Sequence, residues 1–385
     1  LLSKGQPNHN IPASTPLSNC VARQWTGENG LISNNLTSVI QSSAGFLWVT
    51  SYVGAIRFDG IKADVYDHVT LPFLSNDSFY ALHEDKTGVL WFSTQGSGIV
   101  IYRNHKFEPL LPNNKILPKS IRCLKLNEDG SVYAGSNNQG LFLIRDTTVT
   151  QVSHPALNEV SILGLDEDRF GNLWIATDGN GVIRKNGNTF VQFTTVNGLI
   201  SNTVTSILCS STEEVYLGTS QGLNVFSKGK LSLVTFFRDL QINFMEQDKE
   251  GTVWMATEQG LGRYNRDLKF NEFTKHLGKT SLTRINSVCF DREGSVWLGT
   301  GKSGLVRITE SSFDNYTTNE GLSSERINIV SEGENKIYIG TDDGTLDVIE
   351  NGAIHPVPIY TSLHGYGIRD VLIDNKSNLW LASYS

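Results

Sequence analysis

The stretch GTVWMATEQGLGRYN, residues 251–265, decides the fold, because it returns through the chain in altered spelling. GFLWVTSYVGAIRFD (45–59), GNLWIATDGNGVIRK (171–185) and GSVWLGTGKSGLVRI (294–308) are its clearest copies. Each copy centres on an aromatic residue. Those residues are Trp48, Trp91, Tyr133, Trp174, Tyr216, Trp254, Trp297, Tyr338 and Trp380, at steps of 38 to 43 residues. The copies alternate apolar and polar positions in short runs broken by Gly, Asn, Asp and Ser, which favours strands over helices. A strand-rich repeat of this length is the signature of a β-propeller, in which each repeat builds one blade. We therefore read the chain as all-β, with four-stranded antiparallel blades of about 42 residues.

Working outward from the aromatic residue, the position twelve places earlier should open the innermost strand and be apolar. It is Leu36, Phe79, Ile121, Ile162, Val204, Ile242, Ile285 and Ile368, and near Tyr338 the match shifts by one to Ile327. Between the two lies a turn, spelled Asp85-Lys-Thr-Gly88, Asn127-Glu-Asp-Gly130, Asp168-Arg-Phe-Gly171, Asp248-Lys-Glu-Gly251 and Asp291-Arg-Glu-Gly294. Asp or Asn there accepts backbone amides two residues on, and Gly supplies positive φ. One carboxylate per turn is too few to hold calcium. After the aromatic residue come an apolar residue, Gly or Ala, then Thr or Ser, small enough for strands to approach closely. Nine equivalent aromatics are read as core, each removing roughly 150–250 Å² from water.

A second phrase marks the crossings from an outer strand to the next inner strand. It reads RQWTGENGLISNN (23–35), VQFTTVNGLISNT (191–203) and DNYTTNEGLSSER (314–326). The first copy precedes the first repeat, so the chain opens with an outer strand that has no blade of its own. Ring closure would place that strand on a blade begun by the other chain end, removing sheet edges. Eight full repeats are followed by a ninth that stops after its second strand. The expected layout is a poorly ordered segment at 1–17, a seven-bladed propeller at 18–322 and the first blades of a second, truncated propeller at 323–385. A single ring of eight or nine blades is the alternative.

Composition narrows the function classes. The 385 residues carry a net charge of −7, with 39% hydrophobic and 18% charged residues. There is no Lys/Arg run or basic stripe, which argues against nucleic acid. No window of 18 apolar residues is present, so a membrane would be met only through segments outside this chain. Cys20, Cys123, Cys209 and Cys289 form no CxxC pair, and the last three sit in apolar strand-like stretches as free buried thiols. The opening Leu-Leu could be the tail of a removed signal peptide.

These phrases resemble the repeat of the two-component regulator propeller family, GLxSNxVxxIxxDxxGxLWxGTxxGLxRFD. The matching stretches are GLISNNLTSVIQSSAGFLWVTSYVGAIRFDG, GLISNTVTSILCSSTEEVYLGTSQGLNVFS and INSVCFDREGSVWLGTGKSGLVRI. The match runs from about Val21 through most of the chain. It is looser where Tyr replaces Trp and where STEE or GEN replaces the Asp-Gly turn. The opening RQWTGENGLISNN is similar to the start of sensor regions in bacterial membrane-bound histidine kinases and diguanylate cyclases. The resemblance implies about fourteen repeats in two seven-bladed rings, placed in the periplasm and followed by a small sandwich domain, a membrane helix and a cytoplasmic output module. In some members the propellers detect oligosaccharides. No output-module residue is present, so the region shown is expected to have no catalysis of its own.

The residues themselves offer no catalytic constellation: there is no HExxH, GxSxG or P-loop, and no cofactor or metal is expected. Propeller ligands usually bind at the channel mouth, where crossing loops meet. The residues just before each inner strand are Asn35, Ser78, Ser120, Ser161, Thr203, Gln241, Arg284 and Arg326. This set of neutral hydrogen-bonding groups and two arginines suits a polar or weakly anionic ligand such as an oligosaccharide. It would equally serve to cap strand ends with water. Tyr52, Tyr80, Arg122 and Tyr366 lie close by in sequence and could add stacking or charge. The expected partners are such a ligand and a second copy of the sensor region. A propeller enzyme, of polysaccharide lyase or quinoprotein type, and a protein-binding scaffold are the competing readings.

Overall fold

In the computed structural model the described residues are 11–383, except 111–116, 147, 312–315, 319–320, 334–335, 351–352, 360–365, 375 and 377. The chain forms two compact units, residues 1–311 and 312–385. In the first unit six consecutive four-stranded antiparallel sheets span residues 36–66, 79–109, 121–152, 162–193, 204–234 and 242–274. The seventh takes three strands, Ile285–Phe290, Val296–Thr300 and Leu305–Glu310, and borrows its outer strand, Cys20–Trp25, from the chain start. That strand pairs antiparallel with Leu305–Glu310, from Cys20 opposite Glu310 to Trp25 opposite Leu305. Each inner strand packs against the next, and Ile285–Phe290 packs against Leu36–Gln41, so the ring of sheets closes. The architecture is a β-propeller.

The repeated phrases have local physical causes. Asp85, Asp168 and Asp248 accept the backbone N–H two and four residues on, Asp291 accepts the one four residues on, and in each the second oxygen takes the indole N–H six residues on. The indole distances are 2.9 Å for Trp91–Asp85, Trp174–Asp168 and Trp254–Asp248, and 2.7 Å for Trp297–Asp291. A buried tryptophan needs such an acceptor. The Thr or Ser that follows closes the next turn: Thr177 Oγ1 donates to Gly181 O at 2.7 Å and Thr300 Oγ1 to Gly304 O at 2.9 Å. Glycine is required at 181, where φ is +75° and a Cβ would lie 2.1 Å from Phe193 O. In the crossing phrase, Asn197 Oδ1 accepts from Thr194 N at 2.9 Å and Asn202 Oδ1 from Thr195 N at 2.8 Å, while Leu199 is buried.

Packing explains why the aromatic residue recurs. Trp174 faces Val204, Val215 and Leu217 of the following sheet, Trp254 faces Ile285, Val288 and Val296, and Trp48 faces Phe79, Leu82 and Phe92. One side chain therefore cements two sheets, at roughly 4–6 kcal/mol of area-based transfer energy as an upper bound. At the closure, Trp25 of the borrowed strand lies 5.3 Å from Trp297, ring to ring.

Residues 1–10 of the N-terminal segment lie outside the described residues. Residues 11–17 are fastened to the ring. Ile11 and Leu17 are buried in the core between the sixth and seventh sheets. Arg263, fully buried, donates to the carbonyls of Pro12 at 3.2 Å and Thr15 at 2.8 Å and pairs with Glu272. Glu272 in turn accepts from Leu17 N at 2.8 Å.

The second unit, taken by itself, holds one four-stranded sheet at residues 327–356 and a two-stranded one, Ile368–Ile373 with Leu379–Ser383. Leu346, Ile368 and Val371 form its buried cluster.

Candidate ligand site at the mouth of the ring

A channel of about 440 Å³ runs between the inner strands of the first unit. In each of these strands the ladder slips between the first and third residues, leaving the second as a bulge. A bulge frees a side chain from strand alternation and re-aims it. The bulge residues are Thr37, Tyr80, Arg122, Leu163, Thr205, Asn243 and Asn286.

Four of these seven clasp the neighbouring sheet. Thr37 Oγ1 donates to Phe79 O at 2.9 Å, Asn243 Nδ2 to Ile285 O at 2.8 Å and Asn286 Nδ2 to Leu36 O at 2.7 Å. Thr205 Oγ1 likewise donates to Ile242 O. In every case the acceptor is the first carbonyl of the next inner strand. Tyr80, Arg122 and Leu163 break this pattern on three consecutive sheets.

The polar positions expected to ring the mouth have mostly been put to internal use. Ser78 Oγ donates to Tyr52 O at 3.2 Å and Thr203 Oγ1 to Asp178 Oδ1 at 3.2 Å. Ser161 Oγ reaches Asn138 Oδ1 at 2.7 Å, and Arg284 lies 3.9 Å from Glu258. These partners sit on the turn of the preceding sheet, so the residues latch sheet to sheet. Gln241 Nε2 bonds Asn243 Oδ1 at 3.1 Å. Asn35 Oδ1 and Ser120 Oγ have no hydrogen-bond partner among the described residues. Arg326, 3.9 Å from Asp342, and Tyr366 belong to the second unit.

Tyr52, Tyr80 and Arg122 are brought together. Tyr52 and Tyr80 meet edge to face at 6.1 Å, and the Arg122 guanidinium lies over the Tyr80 ring at 5.4 Å. Tyr52 is 43% exposed.

On four of the seven inner strands the fifth residue is polar and ionisable, His83, Lys125, Asp166 and Glu246, and His83 and Glu246 line the channel. Lys125 pairs with Asp166 at 2.6 Å, and Asp166 also accepts from Cys209 N at 2.7 Å. Burial, with Lys125 nearby, lowers the His83 pKa to about 4. Burial, with the charge of Asp166 nearby, raises that of Glu246 to about 7. The sequence signal was available, since charged residues in the middle of otherwise apolar inner strands must face water or a channel. Burial also pushes the thiol pKa of Cys123 and Cys289 up to about 12 and that of Cys20 to about 11. All four cysteines are free, and these three are kept as unreactive thiols.

Residues 74–96, which carry the second copy of the turn-and-tryptophan phrase, match the family described as "Two component regulator propeller". That stretch is similar to one repeat of such propellers. A curated relative, histidine kinase P4 of Formosa agariphila, is 26% identical over 335 residues. The alignment covers 78% of this chain and 24% of that protein. Among solved structures, the extracellular domains of two hybrid two-component systems of B. thetaiotaomicron share the fold. One superposes at TM-score 0.81 with 22% identity, over 94% of this chain and 52% of the other. The second gives 0.61 with 19% identity, over 95% and 51%. The virginiamycin B lyase of Staphylococcus aureus also shares the fold, at 0.61 and 13% identity over 75% of this chain and 98% of the lyase. The propeller chain thus spans about a quarter of its curated relative and about half of the two extracellular domains.

Proposed function

We propose that this two-component regulator propeller is the periplasmic sensory region of a bacterial receptor. It binds a polar ligand such as an oligosaccharide at the channel mouth. It passes the signal to a cytoplasmic histidine kinase or diguanylate cyclase module and performs no catalysis itself. The observation that carries this reading is the division of labour at the mouth. Latches and clasps hold the ring shut, while the side chains of Tyr52, Tyr80 and Arg122 meet one another and form no hydrogen bond between sheets among the described residues. The relatives support the receptor context: one is named a histidine kinase, and the B. thetaiotaomicron proteins are extracellular domains of two-component systems.

Signalling requires the ligand to bind one arrangement of the receptor, or of two receptor copies, better than another. The test is a reporter for the output of the full-length receptor, run against a glycan library. Induction by one glycan class, lost in Tyr80→Ala, supports the reading. Turnover of a glycan by the purified chain would replace it with a propeller enzyme. Stoichiometric capture of a protein with no glycan response would replace it with a scaffold.

A further inference from the structure

We propose that Tyr52, Tyr80 and Arg122 form a subsite for an acidic sugar, with the carboxylate or sulfate on the Arg122 guanidinium and the sugar ring against the face of Tyr52. This rests on the glycan-sensor reading above and adds the charge of the ligand and the residue that selects it.

Three observations meet here. The first is the loss of a structural role. At the bulge position Thr37, Thr205, Asn243 and Asn286 each tie one sheet to the next. Tyr80 and Arg122 occupy that position and form no such tie. The second is an uncompensated charge. Lys125 pairs with Asp166 and Arg284 lies beside Glu258, whereas Arg122 has no carboxylate partner among the described residues. Asp77, the acid just before Ser78, is taken up by His68 at 2.7 Å. In a chain of net charge −7, such a local excess of positive charge is where an anion can settle. The third is pre-organisation. The guanidinium stacked over Tyr80 is held in place before any ligand arrives, and its planar fork matches a carboxylate or sulfate bidentately. Tyr52 offers an exposed ring beside it, the surface that the C–H face of a pyranose packs on.

The subsite requires a ligand that is both cyclic and anionic. A free inorganic anion would leave Tyr52 unused, and a neutral glycan would leave Arg122 unpaired.

The experiment is calorimetric or glycan-array binding by the purified chain. The probes are tetragalacturonic acid, its methyl ester, a sulfated galactose tetrasaccharide and a neutral galactose tetrasaccharide. We expect one of the two acidic probes to bind, and which one separates carboxylate from sulfate recognition. Arg122→Gln should weaken that binding roughly ten- to hundredfold. Tyr52→Ala should weaken it about tenfold. Arg103→Gln, at the outer rim where Arg103 pairs with Glu108, should leave it unchanged. Near-UV circular dichroism of each variant establishes that the ring is intact. Equal binding of the neutral and acidic probes, or an unchanged affinity in Arg122→Gln, overturns the acidic-sugar subsite and leaves the sensor reading standing. Absence of binding by all four probes, with the reporter assay also silent, overturns both.

Discussion

Trp174 and Trp380 hold the same place in the repeat, and their fates differ. Each donates its indole N–H to the aspartate six residues earlier, at 2.9 Å in the first unit and 3.1 Å in the second. Yet Trp174 is fully buried and Trp380 is 61% exposed. The same contrast separates Val288, 2% exposed, from Val330 at 59%. The hydrogen bonds of a repeat are therefore local and travel with the sequence phrase, whereas its burial is supplied by the neighbouring sheet. In the first unit every sheet has two neighbours because the ring closes. In the second, two sheets are present among the described residues. Repeat proteins behave this way, with stability divided between the unit and its interfaces.

The strongest way to break this contrast is to unfasten the closure. Arg263→Ala should cost about 3–5 kcal/mol, because it strands Glu272 and frees residues 11–17 from the ring. Hydrogen exchange across Ile285–Phe290 and Cys20–Trp25 should then rise toward the level of the second unit. Protection unchanged from wild type would show that the segment is ornamental.

Next in size is the mortar residue. Trp254→Ala should lose about 3–5 kcal/mol in denaturant unfolding. Trp380→Ala should lose under about 1 kcal/mol, in the range of surface changes. Equal losses would mean that the indole hydrogen bond, not burial, carries the energy.

A smaller effect is expected at a clasp. Asn286→Ala removes one bond between the seventh and first sheets and should cost about 1 kcal/mol. Arg122→Gln removes no hydrogen bond between sheets, only the contact of its guanidinium with the Tyr80 ring, so it should cost less than Asn286→Ala, and an equal or larger destabilisation would contradict the division of labour at the mouth.

The smallest effect concerns the channel. The fifth residue of the inner strand is Glu246 in the first unit, enclosed by the ring, and Leu372 in the second, 62% exposed. Enclosure raises the Glu246 pKa from 4.5 to about 7, so the fold favours the neutral acid. Its contribution is full below pH 4.5 and is lost as pH rises to about 7. Glu246→Gln should flatten that part of the stability–pH curve, by on the order of 1–2 kcal/mol. An unaltered curve would mean that water in the channel solvates the carboxylate.

The fold was legible because it rests on period and on local chemistry. The spacing of Trp174, Trp254 and Trp297 and the turns that precede them sufficed for blades, and the homeless outer strand at 20–25 pointed to closure. The aspartates of those turns were read as backbone caps, and the bond to the indole was missed although the interval of six is constant. The mouth was only partly legible. Ser78, Ser161 and Thr203 have the right residue types for a polar ligand, but their partners come from a turn about 25 residues away on another sheet. Which polar group is spent internally is decided by that tertiary neighbour. Tyr80 and Arg122 lie beside the mouth positions in sequence and offer stacking and charge, but the bulge that aims them is a property of pairing that no single strand displays. The ionisable fifth positions could each be seen within an apolar strand, but His83, Lys125, Asp166 and Glu246 belong to four different repeats, and only the fold brings them near one another.

The pairing of the first strand with the last also sets how the first unit responds to tension. Cys20 lies opposite Glu310, so once the fastening of residues 11–17 is released the chain enters and leaves this unit at the same end of one antiparallel pair. A pull along the chain would load that pair as a zipper, parting one hydrogen-bonded couple after another. The same ladder loaded in shear would have to break all its bonds together. Such a ring is mechanically soft along its own chain while its cemented sheets stay stiff. A stimulus is better carried through it by displacement of an intact body than by stretching.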